Sequence, residues 1–517
     1  MTKSAGCSRP PTVRREILLT ATNDGASVGI GCRPAPESQD AAGRTMRKQM
    51  GGRRRFIARG SAAAVITIVP RHVLGGAGFV APSDKVNVAI IGAGGQGRTN
   101  TRALLQEEDC QVIALADPAE DWDLSAFYYG GRAGRGPVRA EIESAYASRT
   151  PNYRCAVYED FRVMLEKEKA IDAVLVATPD HLHAYATIHA MKAGKHVYCE
   201  KPLTHNVSEA RAVARVAAET GVATQMGNQG RSGEGHRQTA EWIWDGAIGA
   251  VREVHAWSGG GRSIRRQEVP EGTPDVPAGL NWDLWLGPRP VRPYHPAYAP
   301  CNWRRFWAFG GGTLPDMAIH NLDPAFFALD LDTPDTVEAS STGVDADICS
   351  YGVFVTWRFA ARGNRGPLSV HWYDGGLRPP TPAEIDDEDP RQRLGEDDNG
   401  ILFVGERGFI TCAGWSGMPR LLPLARNREY VRPAKTLPRV DGHHADWLQA
   451  CKGGRPACSD FSYAARLSEF ILLGNVALRT GQRLEWDAPG MRATNAPEAD
   501  RYLREDCRAG WEPPALG

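Results

Sequence analysis

The stretch that most restricts what this 517-residue chain can become is Val86-Asn87-Val88-Ala89-Ile90-Ile91, which runs straight into Gly92-Ala93-Gly94-Gly95-Gln96-Gly97. A β-branched apolar run of this kind fills a strand buried on both faces, as the strands of a parallel sheet are. A G-x-G-x-x-G alone is a weak signal, but here a strand precedes it and a helical stretch, 98–106, follows. Gly92 allows the tight turn, Gly94 lets the backbone approach a pyrophosphate, and Gly97 lets the helix pack closely on the strand. Phosphates would then sit at the helix N-terminus, against Gly95 and Gln96. A second strand, Gln111 to Ala116, ends in Asp117, 20 residues after Gly97, the spacing of a carboxylate that accepts adenosine ribose hydroxyls. An acid there repels a 2′-phosphate, which favours NAD; Arg98 and Arg102 nearby leave NADP open.

The strand and helix alternation continues. Residues 121–153, rich in Gly, Arg and Tyr, read as an insertion without an assigned role. A helix over 160–169 leads to the strand Ala173 to Ala177 and then to Thr178-Pro179-Asp180-His181-Leu182-His183. Ligands of parallel sheets bind at the carboxyl ends of strands, so Thr178, Pro179, His181 and His183 are expected to face the cofactor. A helix from Ala184 to Ala193, closed by Gly194, precedes the strand His196 to Cys199 and the sequence Glu200-Lys201-Pro202. Pro202 biases Lys201 toward extended geometry, so Glu200 and Lys201 should project from a strand end toward the same ligand. Another helix, capped by Ser208, and a strand over 222–226 complete a doubly wound Rossmann sheet, expected within residues 84–227.

Charge narrows the partners. Lys plus Arg and Asp plus Glu are both 61, so no long-range field draws the chain to polyanions, and nucleic acid is excluded as an expected partner. With 42% hydrophobic and 24% charged residues the chain has ordinary globular composition. Its eleven cysteines form no C-x-x-C pair, and His181 and His183 have no third ligand at a usual spacing, so no metal is expected.

The first 83 residues differ from the rest. Residues 1–45 show no sustained apolar period, and Met46 and Met50 are each candidate starts. Arg53-Arg54-Arg55-Phe56-Ile57 and the short apolar run Ala62 to Val69 then describe a basic region and an apolar region too short to span a bilayer. This resembles a twin-arginine export signal, which implies a periplasmic protein folded before export. A basic cytoplasmic N-terminus is the alternative. No other segment reaches about 18 consecutive apolar residues, so no stable membrane span is expected.

In the second half, expected over residues 228–517, Gly310-Gly311-Gly312-Thr313-Leu314-Pro315-Asp316-Met317-Ala318-Ile319-His320 reads as a glycine loop entering a helix. Asp316 and His320, at i and i+4, share one helix face, so the carboxylate could orient the imidazole and raise its basicity. With Lys201 and a nicotinamide, the pair suits alcohol oxidation: His320 as general base, Asp316 as its orienter, Lys201 as the cation on the substrate oxygen. The residues leave open whether Lys201 shares the proton transfer.

Taken together, GAGGQG, ATPDHLHA, EKPLT and LPDMAIHNLD resemble the glucose-fructose oxidoreductase, inositol dehydrogenase and rhizopine catabolism (Gfo/Idh/MocA) family over about residues 84–487. The segments QMGNQGRSGEGHRQTAEWIWDGAIG, WDLWLGP, PYHPAY and ALRTGQRLEWD are similar to its secreted, twin-arginine branch. The resemblance implies a C-terminal α+β domain with an open, mainly antiparallel sheet that forms homo-oligomer contacts, and it assigns the matching lysine, aspartate and histidine to the active site. Where that branch carries glycine-alanine-leucine-glycine before the aspartate, this chain has Gly312-Thr313-Leu314-Pro315. Pro315 fits the first turn of a helix.

Softer candidates complete the site. Asn228, Gln229 and Arg231 follow the last nucleotide-domain strand and could bond sugar hydroxyls; Tyr294, His295, Trp303 and Arg304 could form an aromatic and polar platform for a pyranose. Packing competes with substrate contact at each of them, as it does at His443 and His444. Three functions stay in view: an NAD(P)-dependent oxidoreductase acting on a ring hydroxyl of a sugar, glycoside or cyclitol; a glycoside hydrolase using transient NAD-dependent ring oxidation; and a non-catalytic protein that retains NAD and binds sugar.

Overall fold

The computed structural model describes residues 84–259, 268–386, 389–396 and 398–512. The leader expected over 1–83, with its Arg53–Ile57 and Ala62–Val69 signals, lies outside the described residues.

The first layer is a six-stranded sheet. Its strands are β1 (Val86–Ile91), β2 (Cys110–Ala116), β5 (Ala156–Tyr158), β6 (Ala173–Val176), β7 (His196–Cys199) and β8 (Thr224–Met226), in the order β5-β2-β1-β6-β7-β8. Every pairing is parallel. The order reverses on either side of β1, so a crevice opens at the carboxyl ends of β1 and β6. All four residues of β6 and five of the six in β1 are buried, as the continuous apolar runs require.

Helices cover this sheet, and several of their boundaries differ from the sequence expectation. The first begins at Gly95 rather than 98, because the glycine turn itself supplies the first helical residues. Helix Asp180–Lys192 starts four residues earlier than 184, since Asp180 sits favourably in the positive first turn behind Pro179. Helix Val207–Thr220 is capped by Asn206, not Ser208, in a capping box with Glu209. The supposed insertion is partly a crossover element: a short hairpin, β3 (Trp122–Asp123) and β4 (Arg132–Ala133), precedes helix Arg135–Tyr146 on the outside of β2.

The second sheet has nine strands: β9 (Val251–Ser258), β10 (Thr336–Ser341), β11 (Val353–Phe359), β12 (Leu368–Tyr373), β13 (Asn399–Gly405), β14 (Gly408–Cys412), β15 (Arg420–Leu422), β16 (Leu484–Asp487) and β17 (Arg492–Ala493). Their order is β15-β14-β13-β9-β12-β11-β10-β16-β17, and only β9 with β12 is parallel. Helix Phe461–Thr480, buried along most of its length, packs on both β10 and helix Val207–Thr220, so one apolar core joins the two layers. Truncating a fully buried core residue there, such as Leu473 or Phe470, would cost about 2–5 kcal/mol. Among the described residues no helix is long and apolar enough to cross a membrane.

Candidate active site

The glycine turn has the geometry its sequence implies. Gly92 lies at φ +91°, and a Cβ there would come within 2.6 Å of the Ala177 carbonyl oxygen. A Cβ on Gly97 would fall on the Gly92 carbonyl, so helix and strand could not approach. A Cβ on Gly94, in contrast, would meet nothing within 4 Å, which leaves open space where a pyrophosphate would lie. At the strand ends a small pocket is lined by Gly92, Ala116, Pro118, Thr178, Leu284 and Trp511, together with Glu159 and Asp160. Its mostly apolar lining suits one face of an adenine, and Leu284 and Trp511 in that lining come from the second half of the chain. The residues therefore fit an NAD molecule.

Asp117 closes β2 and is buried. Its Oδ2 accepts Ala93 N–H at 2.7 Å and its Oδ1 accepts Ala119 N–H at 2.8 Å, so the carboxylate ties the glycine turn to the next loop. Each oxygen keeps a lone pair for a ribose hydroxyl. Burial pushes its pKa up to about 6, against those two N–H bonds and the Arg135 charge.

Thr178, Pro179, Glu200 and Lys201 stand at the carboxyl ends of β6 and β7, beside the turn. Glu200 is buried and accepts from Asn100 Nδ2 at 2.9 Å, Gln229 Nε2 at 3.1 Å and Gln96 Nε2 at 3.4 Å. The Lys201–Pro202 bond is cis.

Lys201 meets the second half of the chain directly. Its Nζ donates to Asp316 Oδ1 at 2.5 Å, and Arg304 Nε lies 3.3 Å from the same oxygen. Arg304 NH1 in turn grips both oxygens of buried Asp180, at 2.9 and 2.8 Å. Burial alone would raise the Asp316 pKa, but Arg304 and then Lys201 outweigh it and hold the carboxyl at about 2. His320, on the same helix Thr313–Asn321, is buried, and burial followed by the Lys201 charge keeps its imidazole neutral well below the ordinary value.

One assigned role changes. Among the described residues no hydrogen bond joins Asp316 to His320, and His320 Nδ1 is buried without a partner. The carboxylate is committed to Lys201 and Arg304 instead, so Asp316 orients the ammonium and reaches the imidazole only through its field.

Other expected site residues are engaged by protein partners. His181 Nε2 lies 3.0 Å from Trp285 O, and His183 bridges Pro202 O at 2.7 Å and Thr178 O at 2.9 Å; both are buried and brace loops rather than face a ligand. Asn228 is buried on Asp323, with Nδ2 to Oδ2 at 2.9 Å, and Gln229 reaches the site only through Glu200. Arg231 is buried between the Phe327 and Tyr463 rings. Tyr294 packs edge-on against Trp282, and His295 caps its own turn through Ala297 N–H. Trp303 serves as the surface beneath the Arg304 guanidinium, 4.3 Å from its centroid. His443 opens helix His443–Cys451 and bonds Met226 O at 2.7 Å, while His444 stacks on Tyr198.

Three aromatic residues were not singled out in the sequence. Trp415 is half exposed, holds a left-handed φ of +54°, and sets its ring 5.7 Å from His320. A non-glycine residue in that conformation, beside a buried histidine, is the kind of strain that functional sites retain. Tyr129 packs over Gly95, and exposed Tyr128 lies against it with centroids 3.9 Å apart and the rings tilted by 32°, its hydroxyl within the fields of Asp316 and Arg304. The hairpin that carries them is pinned to the glycine turn by Gly134 N–H on Ala93 O at 2.7 Å and by Arg98 on the Tyr129 and Gly130 carbonyls.

A parallel sheet with this turn, joined to an open sheet beside whose strands helix Thr313–Asn321 supplies Asp316 and His320, defines a two-domain dinucleotide-binding protein of the oxidoreductase type. The family model for an oxidoreductase NAD-binding Rossmann fold matches residues 86–228, and that for the C-terminal alpha/beta domain matches 257–363. The chain belongs to the Gfo/Idh/MocA oxidoreductase family. It is 29% identical over 194 residues to the 1,5-anhydro-D-fructose reductase of Ensifer adhaerens, covering 37% of this chain and 47% of that protein. It is 24% identical over 298 residues to the D-glucoside 3-dehydrogenase of Escherichia coli, covering 57% and 69%. The match therefore spans less than half of the first relative and about two thirds of the second. The WlbA dehydrogenase of Bordetella pertussis, solved with NADH and UDP-GlcNAcA, shares the fold at a TM-score of 0.50 and 17% identity, over 78% of this chain and 99% of that one.

Proposed function

We propose that this protein moves a hydride between NAD and a ring hydroxyl or ketone of a sugar, glycoside or cyclitol. The observation that carries the reading is the meeting of Lys201 from the parallel sheet with Asp316, on the helix of His320, 2.5 Å apart beside the glycine turn. When bound, NAD takes up or returns the hydride. The chain's own residues do the rest. Lys201 Nζ donates to the substrate oxygen and stabilises the negative charge that grows there as the hydroxyl proton leaves. Asp316, kept ionised by Arg304 and Lys201, fixes the direction of that ammonium. His320, neutral and with Nδ1 turned into the protein, presents its other ring nitrogen to take the hydroxyl proton. Trp415 beside His320 and Tyr128 near Asp316 and Arg304 offer apolar ring faces suited to the C–H face of a pyranose or cyclitol. The names of the relatives agree with this substrate class.

Two further readings belong to the same proposal. The sequence of the leader supports export through the twin-arginine route to the periplasm, where retention of the nucleotide and its regeneration by a second substrate would be needed. The family resemblance supports assembly as a homo-oligomer.

The test is to denature the purified protein and look for released NAD(H), then to offer the intact protein a panel of glycosides and cyclitols while following nicotinamide absorbance and product release. Net reduction of NAD supports the dehydrogenase. Aglycone release without net NADH would replace it with a hydrolase using transient ring oxidation, and neither signal, with nucleotide bound, would leave a non-catalytic binding protein.

A further inference from the structure

The open face of the second sheet carries a cluster that hydride transfer does not use. Glu253 and His255 lie two residues apart on β9, so they project from the same face, and His371 sits directly opposite His255 on β12 in the one parallel pairing of the sheet. One ligand atom from each of the three lies within 4.8 Å of the others. His255 Nε2 is already 3.2 Å from Glu253 Oε2, close to the separation of two ligands on one tetrahedral ion.

The surroundings hold both rings in place. His255 Nδ1 lies 3.0 Å from the Tyr373 hydroxyl, and His371 Nδ1 lies 3.0 Å from Thr356 Oγ1. His371 with Nδ1–H donated to Thr356 keeps its Nε2 lone pair for an ion, whereas His255 Nε2 donates to Glu253 in the absence of an ion, which would replace that proton and leave Nδ1–H to the Tyr373 hydroxyl. The His371 ring is sandwiched between His255, at 4.8 Å and 17°, and Phe354, at 5.9 Å and 7°. Arg358, the cation whose charge reaches His371, is engaged by Glu338 at 2.7 Å.

We propose that Glu253, His255 and His371 form a divalent transition-metal site, suited to Zn²⁺ or Co²⁺, with three protein ligands and one coordination position open to solvent. The mix of two imidazoles and one carboxylate selects borderline ions of this kind over Ca²⁺ or Mg²⁺, which prefer all-oxygen shells. The ion would bridge β9 and β12, strands far apart in sequence. This site stands apart from the Lys201 cleft and does not depend on the proposed reaction.

The experiment uses the full chain without a polyhistidine tag, stripped with chelator and titrated with Co²⁺, then with Zn²⁺ in competition. The expected result is an intense visible absorption from low-symmetry Co²⁺ at one ion per chain, displaced by Zn²⁺. His371→Ala and His255→Ala should each weaken binding about 100-fold, and Tyr373→Phe about 10-fold through the lost hydroxyl. Glu253 is exposed, so Glu253→Gln tests the ligand without threatening the fold; it should also weaken binding about 10-fold. A Co²⁺ spectrum like that of the aqueous ion, or Zn²⁺ affinity unchanged in Glu253→Gln and in a folded His255→Ala/His371→Ala protein, would overturn the proposal.

Discussion

Lys201 and Asp316, 115 residues apart in sequence, meet at 2.5 Å, so the strand end of one sheet and the helix over the other are joined by a single charged contact. A second bond, from Nζ to the Asp316 carbonyl oxygen at 3.3 Å, helps to aim the ammonium and leaves its third hydrogen for a substrate oxygen. Lys201→Ala should lower kcat/KM about 10²–10³-fold, the usual cost of losing one group that stabilises a developing oxyanion. NADH affinity, measured by nucleotide fluorescence, should stay within about threefold.

His320 governs the acid side of the pH profile. Burial and Lys201 hold its pKa well below the ordinary imidazole value, so the base is already neutral at pH 6.5. The acid limb of kcat/KM should therefore lie below pH 6.5 rather than at it. His320→Asn should remove that limb and slow turnover about 10²–10⁴-fold.

Arg304 serves two carboxylates, Asp180 and Asp316. In Arg304→Ala both lose that partner, with an expected cost of about 3–5 kcal/mol in denaturant unfolding at neutral pH. Asp316 has a depressed pKa, so its paired contribution is full above the ordinary carboxylate range and is lost as pH falls toward about 2. The difference between Arg304→Ala and the parent should shrink over that same interval.

Much of the nucleotide half was legible because its signals are local: Gly92, Gly97 and Asp117 are tied by spacing along one strand, turn and strand. The catalytic set was legible in membership but not in wiring. At i and i+4 Asp316 could have served His320, but Arg304 and Lys201 approach from elsewhere in the fold and win the carboxylate. His181 and His183 misled for the same reason, since nearby backbone carbonyls satisfy them once the loops close. Asp180, the partner of Arg304 over 124 residues, and Trp415, whose left-handed backbone no pattern announces, needed the tertiary structure. The insertion 121–153 concealed an ordinary crossover helix because Gly134 and the tyrosine-rich hairpin interrupt its pattern.

Asp117 links nucleotide affinity to pH. In the free protein burial raises its pKa to about 6, whereas ribose hydroxyls donate best to the ionised form. NAD affinity should be full above pH 6 and weaken as pH falls through it. Asp117→Asn should bind NAD more weakly at pH 8 and lose that pH dependence, as read by titration calorimetry.

Trp511 and Leu284 wall the adenine cavity from the second half of the chain. Trp511→Ala should speed NADH release about 10-fold, equivalent to about 1.4 kcal/mol, in stopped-flow displacement. Trp415→Ala, beside His320, should leave that rate unchanged and raise KM for the sugar.

The most direct measurement is single-turnover transfer of deuterium from a ring-deuterated sugar or cyclitol to NAD bound in the protein, comparing the parent with Lys201→Ala and His320→Asn. The account predicts that the label reaches the nicotinamide in the parent and does so at least about 100-fold more slowly in both variants. Transfer at the parental rate in either variant, or label that never reaches the nicotinamide in a nucleotide-loaded parent across the whole panel, would contradict it.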